Sequence, residues 1–315
     1  LDPASGKRTI DLIDRIQKND HTTIVIIEHR LEDVLYRDVD RIIVIGDGKI
    51  AADSKPDALL TTSVLEAEGI REPLYLTACK YMDIPVMEER KPQRVETFDL
   101  TGMEGKAQKW YQEAPVQSRH QEGETLLELQ QVGFGYLPGQ QVLQNISFQV
   151  KKGEMLSIVG KNGAGKSTMS SLICGFLTPT EGHMIYRGQD MKNWSIKERG
   201  EKIGFVMQSP NQMISKPMIF DEVALGLVIR QIPEAEIKER VNQVLKICGL
   251  YEMRNWPVSA LSFGQKKRVT IASILVMEPE MMILDEPTAG QDYRHYTEIM
   301  EFLKKLNQEA GITIM

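Results

Sequence analysis

Residues 160–167 read Gly160-Lys161-Asn162-Gly163-Ala164-Gly165-Lys166-Ser167 and fit the spacing G-x-x-x-x-G-K-[ST]. An apolar, strand-like run (residues 155–159) precedes them, and a helix-like run (residues 168–176) follows. In that setting the glycines let the backbone turn sharply and gather several N–H groups around one point. The following helix adds its positive N-terminal end. Lys166 supplies a point charge for terminal phosphates, and Ser167 a hydroxyl for Mg²⁺. At average residue frequencies such a match arises about once per 30,000 positions, so a phosphate cradle is the reading around which the rest is organised.

Moving outward, residues 126–132 and 142–150 carry strand patterns before the loop, and residues 281–284 carry one well after it. A polar, helical stretch spans roughly residues 192–248. Strands alternating with helices predict an α/β fold with a mainly parallel sheet. The apolar run Met281-Met282-Ile283-Leu284 ends in Asp285-Glu286. It therefore delivers two carboxylates to the C-terminal end of a buried strand, where ligands bind in open α/β sheets. Asp285 is expected to hold Mg²⁺ through water, and Glu286 to take a proton from an attacking water as general base.

Further motifs in order bring out a family. Leu261-Ser262-Phe263-Gly264-Gln265 resembles the L-S-G-G-Q signature of ABC-type ATPases, and residues 266–272 resemble the helix after it. Asp285-Glu286-Pro287-Thr288-Ala289 is similar to that family's D-E-P-T segment. Gln208 fits its glutamine loop, Asp292 its D-loop, and Tyr136 its adenine-stacking aromatic, with Phe134 the alternative. The resemblance covers residues 126–315. It implies a P-loop NTPase of ABC ATPase type, with a RecA-like core, an antiparallel β subdomain and a helical subdomain at about residues 209–262.

The same resemblance implies ATP and Mg²⁺ as cofactors. Tyr136, Gly160, Asn162, Gly163, Gly165, Lys166, Ser167 and Thr168 would contact the nucleotide. Ser167, Gln208 and Asp285 would hold Mg²⁺, and Glu286, Gln208 and His29 would be catalytic, His29 by bonding the γ-phosphate and orienting the attacking water. Leu261, Ser262, Phe263, Gly264 and Gln265 would meet ATP held by another ABC ATPase domain, docked head to tail. The sequence departs from the pattern at Phe263, where the first signature glycine is usual, and at Ala289-Gly290-Gln291-Asp292, where S-A-L-D is usual. Both departures bear on turnover more than on nucleotide binding. Lys266-Lys267-Arg268 reads as a solvated helix turn.

The N-terminal stretch resembles the same family from a second copy. Leu1-Asp2-Pro3 is similar to the end of a D-loop, and Glu28-His29-Arg30 to the switch histidine after a buried-strand run at residues 22–27. Asp2 and His29 stand 27 residues apart, and the same spacing from Asp292 runs past Met315. Residues 1–60 are thus expected to be the C-terminal remnant of a first ABC ATPase domain. Residues 61–125 would be a connecting segment and linker, and residues 126–315 a second domain lacking its C-terminal end. Each composite ATP site would then be incomplete, so the isolated chain is expected to bind Mg-ATP weakly and hydrolyse it slowly. Before that, Ile10, Ile13 and Ile16 mark an amphipathic helix, and Gly46-Asp47-Gly48 marks a hairpin turn. The polar stretch 87–124 reads as a linker, with Trp110 and Tyr111 as a loose surface patch.

The 38 Lys and Arg against 44 Asp and Glu give a net charge of −6, which lacks the footprint of a nucleic-acid binder. Cys79, Cys174 and Cys248 are far apart and offer no C-x-x-C site. No apolar run approaches the roughly 18 residues of a membrane span. Residues 208–226 resemble the stretch after the glutamine loop in energy-coupling-factor importers, which carry vitamins and transition-metal ions. That resemblance implies membrane partners, namely an embedded coupling subunit and a substrate-binding subunit, and a peripheral place on the cytoplasmic face of a bacterial membrane. Thiamine-precursor and cobalt uptake are the nearest types. A tandem ABC ATPase acting on ribosomes or DNA is the alternative; it would need basic linkers or zinc-finger insertions, which are not evident. A non-catalytic nucleotide-binding module is the other, motivated by Phe263.

Overall fold

The computed structural model describes residues 3–28, 30–113, 123–289, 291 and 293–315. The chain divides into two compact units, residues 1–119 with 292–294, and residues 120–291 with 295–315.

The first unit opens with the helix Pro3–Asp20. Strands β1 (Ile42–Gly46) and β2 (Lys49–Ser54) follow as an antiparallel hairpin. Asp47 and Gly48 turn it with φ of 47° and 74°, the positive pair that matches strand twist. Leu35, Val44, Leu59, Leu65, Leu76, Cys79 and Phe98 bury a common core. Two expectations change here. Part of the stretch read as a linker is packed: Phe98 and Met103 are buried, Tyr75 donates its hydroxyl to the Pro92 and Gln93 carbonyls, and the Gln93 N–H reaches Asp57. Two apolar side chains and these bonds anchor a segment whose average composition is polar. Residues 22–27, expected as a buried strand, form no strand, and Val25 and Ile27 are 83% and 96% exposed. A β-branched run becomes a strand only when another strand satisfies its backbone, and no described strand pairs with this one.

The second unit holds two sheets. Strands β3 (Thr125–Phe134), β4 (Leu143–Lys151), β5 (Glu181–Tyr186) and β6 (Gln189–Asp190) form an antiparallel sheet in the order β4-β3-β5-β6. Strands β7 (Ile203–Val206), β8 (Met281–Leu284) and β9 (Thr313–Ile314) form a parallel sheet in that order. Residues 155–159, expected as a strand, add only a parallel bridge from Met155 to Ile314 and a bond from the Leu156 N–H to the Ile314 carbonyl. The neighbouring strand β9 is two residues long, so the ladder ends there. The helix Lys166–Cys174 shares a core with β3, β5 and β8 through Met169, Leu172, Ile173, Met184 and Ile283. A second core gathers the helices Ile219–Ile229, Glu234–Ile247 and Phe263–Leu275 around Val223, Val241 and Val269. The α/β class is as predicted, with the antiparallel sheet and the helical portion that the resemblance implies; the mainly parallel sheet is not, since among the described strands only β7, β8 and β9 run parallel, strands joined by short turns pairing antiparallel instead.

Candidate functional site

The phosphate-loop motif sits where the sequence places it, between the Met155 bridge and the helix Lys166–Cys174. Gly163 and Gly165 hold φ at 78° and 93°, a region that costs other residues steric strain. A Cβ on Gly165 would also stand 2.7 Å from Leu143 Cδ2. No side chain caps this helix, so its first N–H groups are left for a ligand. The Lys166 ammonium folds back onto its own loop and donates to the carbonyls of Gly160 (2.9 Å) and Lys161 (3.2 Å).

Strand β8 is fully buried and ends at Leu284, and the Asp285 N–H bonds the Val206 carbonyl of β7 at 2.9 Å. The turn out of the sheet then presents both carboxylates. Ser167 Oγ donates to Asp285 Oδ1 at 3.1 Å, and Gln208 Nε2 donates to Glu286 Oε2 at 2.7 Å. Glu286 holds φ at +46°, a left-handed conformation that costs a non-glycine residue about 1 kcal/mol or more. Motifs 160–167, 208 and 285–286 are thus brought together in one place. The hydroxyl, carboxylate and amide oxygens of Ser167, Asp285 and Gln208 are hard donors of the kind Mg²⁺ takes, so the donor set fits that ion.

Of the two candidate aromatics, Phe134 is 7% exposed and lies in the core, whereas Tyr136 is 61% exposed. Tyr136 stacks edge-on against Phe134 at 5.0 Å and shares a hydrogen bond of 3.1 Å with Thr168 Oγ1. The signature forms the start of the helix Phe263–Leu275. Ser262 Oγ accepts the Gln265 N–H, and Gln265 Oε1 accepts the Ser262 N–H, a reciprocal capping box. Gln265 is therefore occupied within its own chain, while the Ser262 hydroxyl donates to no other described residue. Leu261 is buried, Phe263 half-exposed at 43%. Asn162 is exposed, Thr168 buried. Asp2, His29 and Asp292 lie outside the described residues.

Three charged residues escaped the sequence reading. Lys267, placed there on a solvated helix turn, is 1% exposed. Its ammonium donates to the carbonyls of Met207 (2.8 Å) and Gln208 (2.7 Å). Burial pulls its pKa down to about 8, while the charge of Asp285 raises it. Its spacing from the buried Thr270 and Ile271, three and four residues on, is the signal that marks the inner face of the helix. Arg199 is buried behind the phosphate-loop helix and donates to the Leu172, Ile173 and Met191 carbonyls. Glu222 is buried and accepts the N–H groups of Ser215 and Lys216.

Comparison with known proteins places this geometry. A family profile described as ABC transporter matches residues 143–289, and one described as ATP-binding cassette cobalt transporter matches residues 62–134. A solved structure of cbiO1 from Clostridium perfringens, part of the ABC transporter complex cbiONQ, is 39% identical. It covers 61% of this chain and 77% of its own, with a TM-score of 0.58. The chain belongs to the ABC transporter ATP-binding family. Within that family, the ATP-binding cassette MJ0796, solved as a dimer with ADP and Pi, is 32% identical over 60% of this chain and 86% of its own, with a TM-score of 0.53. Proteins named as ABC transporter ATP-binding proteins match over the whole chain, at 55% identity in Clostridium perfringens and 56% in Enterococcus faecalis. The chain spans 55% of the length of each of these two relatives. No described helix is long and apolar enough to cross a membrane.

Proposed function

We propose that this chain is part of an ATP-binding and ATP-hydrolysing subunit that energises a membrane importer for a vitamin or a transition-metal ion. The observation that carries the reading is the convergence of the phosphate-loop hydroxyl with the two strand-end carboxylates: Ser167 on Asp285 at 3.1 Å, and Gln208 on Glu286 at 2.7 Å. Lys166 exchanges its loop carbonyls for phosphate oxygens. Ser167, Asp285 and Gln208 would hold Mg²⁺, which when bound neutralises charge on the phosphates. Glu286 accepts the proton of the attacking water while Gln208 steadies its carboxylate. Tyr136 stacks on the adenine. Ser262 donates its hydroxyl proton to ATP presented by a second ABC ATPase domain, docked head to tail, and Asp2, His29 and Asp292 belong to the same arrangement. Rate comes from positioning and charge neutralisation.

For the cargo, the cobalt-transporter description over residues 62–134 and the likeness to a component of cbiONQ favour the transition-metal branch over the vitamin branch. The partners in this reading are a membrane-embedded coupling subunit and a substrate-binding membrane subunit, with the chain on the cytoplasmic face of a bacterial membrane. The test uses the full-length protein assembled with its membrane partners. Glu286→Gln should retain ATP binding while abolishing turnover and uptake of labelled Co²⁺. Unchanged turnover in that variant would refute the hydrolytic role, and Co²⁺ uptake that does not depend on ATP would refute the transport role.

A further inference from the structure

We propose that Lys267 is a positioning residue: buried on the helix that follows the signature, it holds the backbone of Met207 and Gln208 so that the Gln208 amide reaches Glu286. The inference rests on the ATPase reading of this site and assigns a role to a residue outside its motifs. Three observations support it. Lys267 is 1% exposed, and the charge of Asp285 acts on it. Burying an ammonium is costly unless its donors are satisfied, and here two of them go to consecutive carbonyls, Met207 and Gln208, at 2.8 and 2.7 Å. The second carbonyl belongs to the residue whose side chain bonds Glu286 at 2.7 Å. The loop is also tied from its other side, since the Met207 N–H meets Met213 Sδ at 3.2 Å and Met213 packs on the helical core.

The consequence is mechanical. The signature residues cap the helix Phe263–Leu275 at one end, and Lys267 bolts the first turns of that helix to the glutamine-loop backbone. A shift of the helix therefore moves Gln208 with it, and the amide leaves or reaches Glu286 as the helix moves. The bonds of the ammonium go to these backbone carbonyls, so its effect on Glu286 passes through Gln208.

The experiment measures ATP turnover, Mg²⁺ half-saturation and ATP affinity in the full-length protein, for wild type, Lys267→Met, Lys267→Gln, Gln208→Ala and the double variants. Lys267→Met should lower kcat by about 10²-fold and raise the Mg²⁺ needed for half-saturation, with ATP affinity changed less than about threefold. Lys267→Gln, which keeps one donor, should fall between. In the Gln208→Ala background, removing Lys267 should cost less than about threefold more, because the path through Gln208 is already cut. Losses that multiply in the double variant would mean a general structural role and overturn the proposal, as would unchanged turnover in Lys267→Met. Should Lys267→Met fail to fold, the cycle runs on Lys267→Gln with the same criteria. A wild-type protein without turnover would overturn the functional reading and this inference with it, whereas an active enzyme indifferent to Lys267 overturns the inference alone.

Discussion

Replacing Arg199 by alanine should weaken the second unit by about 3 kcal/mol. The helix Lys166–Cys174 has its N-terminus at the phosphate loop, and its last carbonyls need partners. Gly175 ends it at φ +84°, and a Cβ there would stand 2.8 Å from Arg199 Cδ, so the guanidinium lies tight against the helix end. It donates to Leu172 and Ile173 at 2.8 and 3.1 Å and crosses to Met191 at 2.8 Å. Three bonds from a charged donor contribute about 1.5–3 kcal/mol each. Desolvating the guanidinium offsets several kcal/mol of that sum, and its removal takes the donor from the Ile173 carbonyl and one of two donors from Leu172 and Met191, which keep the N–H groups of Gly175 and Trp194. A net loss of about 3 kcal/mol corresponds to a Tm lowered by about 9 °C in a unit of this size. Trp194 packs against the same core and lies 5.8 Å from Tyr186, so its fluorescence reports the transition once Trp110 and Trp256 are changed to phenylalanine. Arg199→Lys should recover only part of the loss, because one ammonium cannot reproduce a planar fork spanning three carbonyls. A loss in Arg199→Ala below about 1 kcal/mol would refute the reasoning, since it would mean that the guanidinium's bonds only balance its own desolvation.

Other changes test the site and the core directly. Gly165→Ala should abolish nucleotide binding measured by calorimetry, because its φ of 93° and the 2.7 Å approach to Leu143 force the loop open. Tyr136→Phe keeps the ring and loses only the bond to Thr168, so ATP affinity should stay within about threefold. Tyr136→Ala should lower it by about 10-fold, the scale of one base–aromatic stack; equal affinities in the two variants would refute stacking. Burial pushes the Cys174 and Cys248 thiols from 9.0 up to about 12. The folded protein should therefore resist thiol reagents until it unfolds, and denaturation titrations should show stability falling between pH 9 and 12, where the unfolded chain ionises and the folded one does not. Rapid labelling of Cys248 at neutral pH in the folded state would contradict its burial.

What was legible in the sequence was whatever local pattern decides. The phosphate loop, the apolar strand ending at Asp285, the hairpin turn at Asp47-Gly48 and the capped signature helix each depend on a few neighbouring residues, and each forms. Strand pairing is not local. Residues 22–27, β-branched throughout, and 155–159, apolar but for Ser157, both read as strands, yet one pairs with nothing described and the other reaches only Ile314, because an apolar run shows what could join a sheet and not what lies beside it. Residues 88–103 failed in the opposite sense: mean polarity hid Phe98 and Met103, two side chains sufficient to pin the segment. Lys267 combines both lessons. Its residue type and its charged neighbours Lys266 and Arg268 argue for water, whereas its helical phase with Thr270 and Ile271 argues for burial, and phase prevails because five other buried residues of that helix fix which side faces the core. A charge kept at a position that phase assigns to the interior must find acceptors there. Here the acceptors within reach are the carbonyls of Gln208, whose amide bonds Glu286, and of its neighbour Met207. A cation in the buried phase of a helix next to a catalytic motif is therefore informative from sequence alone: it predicts a neighbouring backbone that needs to be held.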